Sequence, residues 1–326
     1  MKKLLIITSA AFLAASTALI AQTLTVSAPG YAGVKLFDST AGFTITGMGA
    51  DASGTVYYLE TDSAFSTGTR LYKRSPADAY ASATLLFDYG AARYGSFVVA
   101  HGGTIYFGEN STHTIRSINP NGTGAALIGT VTGNYDLAFS GNSAFVSANA
   151  DLTFFNPQNK VVSLDLGTGA TATILDATPD YSGPLEFDSA GGLLYGVANG
   201  LIGGIYRYTA ADMAGAPLTL NPPTNRLFAN GGNQYLAFSG NSTLWQGDFA
   251  TLRTIDTATL AVQTIATTSE TLGLLDYENA ALYASVTDFG TSRSAVFAVT
   301  PEPSSMLLFV SGLLVLARRR REQAVK

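Results

Sequence analysis

The chain has 326 residues, with 18 Lys and Arg against 23 Asp and Glu, two His and no Cys. Disulfides, thiol chemistry and a histidine metal cage are thereby excluded. Residues 23–300 carry 11 basic against 21 acidic side chains, a net charge of about −10, which argues against nucleic acid or an anionic membrane surface as partners.

At the amino terminus Met1-Lys2-Lys3 precedes an alanine-rich apolar run over 4–20. A basic start followed by a short apolar stretch is the pattern of a secretory signal peptide, with cleavage expected after Ala21; an uncleaved anchor is the alternative. Residues 22–33 show little periodicity and read as a leader.

From residue 34 to residue 300 the chain repeats itself. Leu137-Ala138-Phe139-Ser140-Gly141-Asn142-Ser143 and Leu236-Ala237-Phe238-Ser239-Gly240-Asn241-Ser242 are nearly identical strand-to-turn units. Six copies of such a turn are followed by a strand carrying an aromatic: Tyr57, Tyr106, Phe145, Tyr195, Trp245 and Tyr283. Third strands are expected at 70–74, 114–119, 160–165, 205–209, 252–256 and 294–299, and fourth strands at 83–87, 125–128, 172–175, 225–228 and 261–265. The spacing of the copies, roughly 38 to 50 residues, is that of propeller blades.

The sixth unit has no fourth strand of its own. Gly33-Val34-Lys35-Leu36-Phe37-Asp38 resembles Ala83-Thr84-Leu85-Leu86-Phe87-Asp88, so the amino-terminal strand is expected to complete the last blade and remove the sheet edges. The fold class predicted is all-β, a closed six-bladed β-propeller. A seventh blade hidden near Ala64 or Gly203, or a tandem of β-sandwiches, is the alternative.

Chemistry is sparse. His101 and His113 are the only histidines, and no Gly-x-Ser-x-Gly elbow, phosphate loop or Asp-rich calcium loop occurs. His101, before Gly102-Gly103, reads as a solvated turn residue. Candidate ligand-face residues come from the repeat, because the turns after the second strands share a face with the connections between blades. Asp62, Asn110, Asn149, Asn199, Asp248 and Asp288 lie on the turns; Arg93, Tyr94, Tyr135, Asp136, Tyr181, Glu186 and Tyr235 lie on the connections. Aromatic faces and short acceptors suit a hydroxyl-rich ligand such as a polysaccharide. The competing reading is structural: Asp and Asn cap turns through their own backbone, and tyrosines at strand starts pack between blades. No cofactor or metal is expected.

At the carboxyl terminus Pro301-Glu302-Pro303 is followed by an apolar run over 306–317 and by Arg318-Arg319-Arg320-Arg321. The run is short for a span, and a helix packed on the domain is the alternative. Four arginines behind it resist translocation, which favours a single transmembrane helix ending at them. This tail, residues 301–326, resembles the PEP-CTERM sorting signal of Gram-negative bacteria that make extracellular polysaccharide. The resemblance implies export, a stay in the inner membrane, and processing by an exosortase at Pro301, Glu302 and Pro303.

Three functions follow as expectations. The first is a non-enzymatic surface or matrix protein that binds polysaccharide or another protein through one propeller face. The second is an enzyme, a lyase, lactonase or glycosidase-like propeller using Asp136 and Glu186, which requires acids converging on the axis with raised pKa or a bound divalent cation. The third is a scaffold with protein-binding loops and no carbohydrate affinity. Fold alone does not choose among them.

Overall fold

In the computed structural model the residues described are 22–64, 66–149, 159–176, 183–198, 201–220, 222–230 and 234–302. The expected signal peptide, the apolar run and Arg318, Arg319, Arg320 and Arg321 lie outside them. No helix among the described residues is long and apolar enough to cross a membrane.

Six sheets follow one another along the chain, each built on four antiparallel strands. Their innermost strands are Phe43–Ala50, Gly95–His101, Asn134–Ser140, Leu185–Phe187, Tyr235–Phe238 and Thr271–Glu278, in blades 1 to 6. The burial gradient across a blade explains its composition. In blade 1 the second strand, Val56–Asp62, is buried along its whole length between neighbouring blades, whereas the fourth, Thr84–Asp88, is mostly exposed. The second strand therefore accepts aromatic and β-branched residues on both faces, and the fourth alternates. In every blade the ladder between the third and fourth strands is broken by a register shift, which increases local twist.

Short acids close the hairpins. Asp188 Oδ1 accepts from the N–H groups of Ala190 (3.0 Å) and Gly192 (2.8 Å) between the first two strands of blade 4. Asp165 and Asp256 do the same after the third strands of blades 3 and 5, each taking two backbone N–H groups at 2.8–2.9 Å.

The ring closes as the repeat implies. Tyr31–Asp38 pairs antiparallel with Arg293–Pro301 as the outer strand of blade 6, from Tyr31 opposite Pro301 to Asp38 opposite Ala295. The segment read as a leader also takes part: Thr25–Val26 pairs with Val262–Thr267 and adds a fifth strand to blade 5. The chain start thus spans two blades, and Tyr31 meets Trp245 edge-on at 5.7 Å. Among the described residues no seventh blade arises near Gly203. The chain there forms Gly204–Tyr208, a helix over Ala210–Ala214, and a strand, Leu218–Thr219, that lies parallel to the outer strand of blade 3.

Candidate functional site: the axial channel

The innermost strands surround an axial channel with two chambers. Four of those six strands carry a register shift against their neighbour, between Ile45 and Gly47, Gly95 and Val98, Asn134 and Asp136, and Leu272 and Leu275. A bulged residue leaves the ladder and its side chain is re-aimed. Here Thr46, Ser96, Tyr135 and Gly273 all lie in such shifts, and all line the upper chamber of ≈ 260 Å³.

At its mouth stand three aromatics, Tyr135 (40% exposed), Tyr235 and Phe289 (69% exposed). Below them hydroxyls line the wall, among them Thr44, Thr271, Ser285 and Thr287. A lower chamber of ≈ 280 Å³ continues along the axis, lined by Glu186, Asp276, Glu278 and Tyr277. Met48, Val98, Leu236 and Leu275 are common to both chambers, and Asp136 is the one acid that both contain.

Asp136 is held by the chain around it: one oxygen accepts from the Leu137 N–H and the other from the Leu185 N–H, each at 2.8 Å. The N–H of Ala50 donates to Asp276, and that of Phe187 to Glu186 at 3.3 Å. These acids keep some accessible surface in the channel, yet the surrounding blades separate them from bulk solvent. Burial therefore dominates and pushes both Asp136 and Asp276 up to about 7; the backbone N–H donors offset only part of it. Glu186 is raised well above the usual carboxylate range, first by burial and then by the charges of Asp276 and Asp136. Among the described residues no three His, Asp or Glu stand close enough together to hold a metal ion, so the acids are strung along the channel.

Stability should follow pH accordingly. A carboxyl whose folded pKa is raised keeps a proton that the unfolded chain releases, so it costs stability progressively from about pH 4 to about pH 7. Asp51, Asp88, Asp256 and Asp288, held below the usual range in the fold, act in the opposite sense and withdraw support as pH falls below about 4. Thermal melts are expected to peak near pH 5 and decline towards pH 8. The double substitution Asp136→Asn, Asp276→Asn should raise the midpoint at pH 8 and leave it nearly unchanged at pH 5. A flat wild-type profile between pH 5 and 8 would contradict the channel electrostatics.

The candidate face separates into two groups. Tyr135, Asp136 and Tyr235 meet in the upper chamber, and Glu186 lies below them. Tyr94 sits half-buried ahead of blade 2 with its N–H on Ser111 Oγ (3.0 Å), outside both chamber walls. Arg93 forms an ion pair with Glu109. Asp62 accepts from the N–H groups of Ser66 and Thr67, and Asp288 from those of Gly290 and Thr291, so both cap their turns. Asp248 takes Asn230 Nδ2 at 3.1 Å and faces Arg253 at 3.6 Å. Asn110 is exposed, its N–H on the Tyr94 carbonyl (2.8 Å), and Asn149 ends the second strand of blade 3 opposite Asn159. Tyr181 and Asn199 lie outside the described residues.

His101 departs from its expected place. It is the last residue of an innermost strand, paired with Thr104, and its ring stacks on Phe139 at 3.9 Å and 4° beside the lower chamber. The strand runs to the edge of the Gly102-Gly103 turn, whose positive φ values (57° and 76°) make the reversal in two residues. Asp276 and Phe289 were not singled out from the sequence. Asp276 had a signal: like Asp136, it is an acid set beside leucine inside a first strand.

Comparison with known proteins agrees with both halves of this description. A family model described as the PEP-CTERM protein-sorting motif matches residues 299–321, so the chain carries that motif and with it the mark of export and exosortase processing at the membrane. No curated protein matches the chain. Among solved structures, a gluconolactonase from Xanthomonas campestris is similar at 11% identity with a TM-score of 0.57, over 86% of this chain and 95% of that one. A luciferin-regenerating enzyme is similar at 14% identity and 0.56, over 83% and 95%. A chain of a nidogen/laminin complex is similar at 13% and 0.51, over 69% and 80%. At such identities the likeness is one of fold.

Proposed function

We propose that this protein is delivered, after exosortase processing, to the cell surface or the extracellular polymer, and that its propeller binds a hydroxyl-rich glycan at the upper mouth of the axial channel without transforming it. One observation carries this reading: Tyr135, Tyr235 and Phe289 line a chamber whose otherwise mainly apolar wall carries the hydroxyls of Thr44, Thr46, Ser96, Thr271, Ser285 and Thr287. Aromatic faces stack on the apolar faces of sugar rings, and hydroxyls satisfy their edges. The test is calorimetric titration of the propeller with oligosaccharides prepared from the host's own polymer. Tyr135→Ala is expected to weaken binding about tenfold, a loss of about 1.4 kcal/mol. Unchanged affinity in that variant would remove the mouth as the site.

A second reading is favoured by the acids. Asp136 and Asp276, each with a pKa of about 7 in one channel, could exchange protons with a substrate near neutral pH, as a propeller lyase, lactonase or glycosidase would need. Two similar folds belong to enzymes, one of them a gluconolactonase. The two readings part on product: release of shortened or opened saccharide that Asp136→Asn abolishes while binding persists would establish the enzyme.

A further inference from the structure

Among the described residues no Lys or Arg lines either chamber. Arg70, Arg93, Arg207, Arg253 and Arg293 all face carboxylates elsewhere, at Asp88, Glu109, Asp188, Asp248 and Asp38. A row of carboxyls with no cation among its neighbours keeps its protons or acquires a cation from outside.

A second observation is independent of charge. Ser285 belongs to the second strand of blade 6, Ala281–Asp288, which the first strand would ordinarily screen from the axis. Gly273 stands in front of it, and a Cβ at Gly273 would lie 2.8 Å from Ser285 Oγ. The missing side chain opens a window, and Ser285 joins the wall of the upper chamber. Ser285 is 1% exposed and its Oγ has no hydrogen-bond partner. Its neighbour Thr287 is satisfied by Ser294 Oγ at 2.8 Å. A buried hydroxyl without a partner is a standing cost that a ligand's polar group relieves.

We infer that the upper chamber takes a protonated primary amine carried on a sugar ring, with the ring against Tyr135 and Phe289, the ammonium directed to Asp136, and a ring hydroxyl directed across the chamber to Ser285 Oγ. The inference rests on the glycan-binding reading and names the kind of glycan: one bearing free amino groups. An ammonium has three donors and no acceptor, which matches the Asp136 carboxylate, a sugar hydroxyl can bond the unpartnered Ser285 Oγ, and aromatic faces at the mouth attract a cation on its way in. An N-acetylated sugar brings one neutral amide N–H and a bulky carbonyl instead, and leaves the carboxyl uncompensated. Entry of the cation should draw protons off the channel. The groups facing Asp136 are Glu186 and Asp276, with Glu278, Tyr277 and His101 beyond them and Tyr135 and Tyr235 above.

Three probes test this by calorimetry at pH 6.5 in two buffers of different ionisation enthalpy: a glucosamine tetramer, its fully N-acetylated counterpart, and butylammonium chloride. The inference expects the tetramer to bind at least tenfold tighter than the N-acetylated form, with proton release. Asp136→Asn should abolish that preference, and Ser285→Ala should weaken the tetramer severalfold; the latter substitution removes one atom and guards against misfolding of the former. Equal or tighter binding of the N-acetylated tetramer overturns the amine and leaves the glycan reading standing. Binding of butylammonium at the tetramer's affinity supports the amine and sinks the glycan. Binding of none of the three overturns the amine, and titration with the host's own oligosaccharides then decides the glycan reading by itself.

Discussion

Removal of residues 22–38 is expected to leave a chain that does not fold into a monomeric propeller. The outer strand of blade 6 comes from this segment alone, and its loss exposes the whole hydrogen-bonding edge of Arg293–Pro301. An open, unpaired edge of that length is a template for association with another chain. The damage also reaches the next blade, because Phe37 is 6% exposed, lies 5.0 Å from the Tyr58 ring of blade 1, and carries the Arg74 guanidinium over its face at 4.8 Å. The single substitution Phe37→Ala should therefore cost about 3–5 kcal/mol. Thermal melts followed by circular dichroism, with size-exclusion chromatography, measure both. A truncated chain that melts cooperatively and elutes as a monomer would show that the closing strand is dispensable.

What could be read from the sequence, and what could not, divides along a physical line. The closing strand was legible because 33–38 copies the fourth-strand pattern of 83–88, and strand identity is a local property. Tyr135, Asp136 and Tyr235 were legible because strand order places the starts of first strands around the axis. Ser285 was not, since its access depends on Gly273 in a neighbouring strand, and a register relation between strands leaves no trace in either one alone. Asp62 and Asp288 show the converse limit. A short acid after a second strand can bind a ligand or cap its own turn, and only the positions of the Ser66, Thr67, Gly290 and Thr291 N–H groups decide the matter. His101 was misplaced by one residue of strand, which moved it from a solvated turn to a stacked position on Phe139.

Replacing Pro301, Glu302 and Pro303 together by Ala should abolish removal of the tail while leaving the propeller folded. The reason lies in where the triplet begins. Pro301 is the last residue of the closing strand, opposite Tyr31, and the Glu302 N–H makes one further bond to the Gly30 carbonyl at 2.8 Å. Pro301 has no N–H, but opposite Tyr31 none is required of it, and the ladder reaches one residue into the triplet. Both Pro301 and Glu302 are exposed. Ala at 301 keeps the strand and every bond of the closing ladder, so the fold should change by no more than about 1 kcal/mol. The same change removes the triplet with which the matched sorting motif opens. Mass spectrometry of the mature protein from the native host should show the chain ending at or near the triplet in the wild type and continuing through Arg321 in the variant. An intact tail in both would make this an anchored propeller, and delivery to the extracellular polymer would lose its support. Because the motif starts where the ring closes, Phe37→Ala offers a second arm. If processing falls with it although the triplet is untouched, the closed blade is part of what the enzyme acts on; if processing is unchanged, the triplet suffices alone.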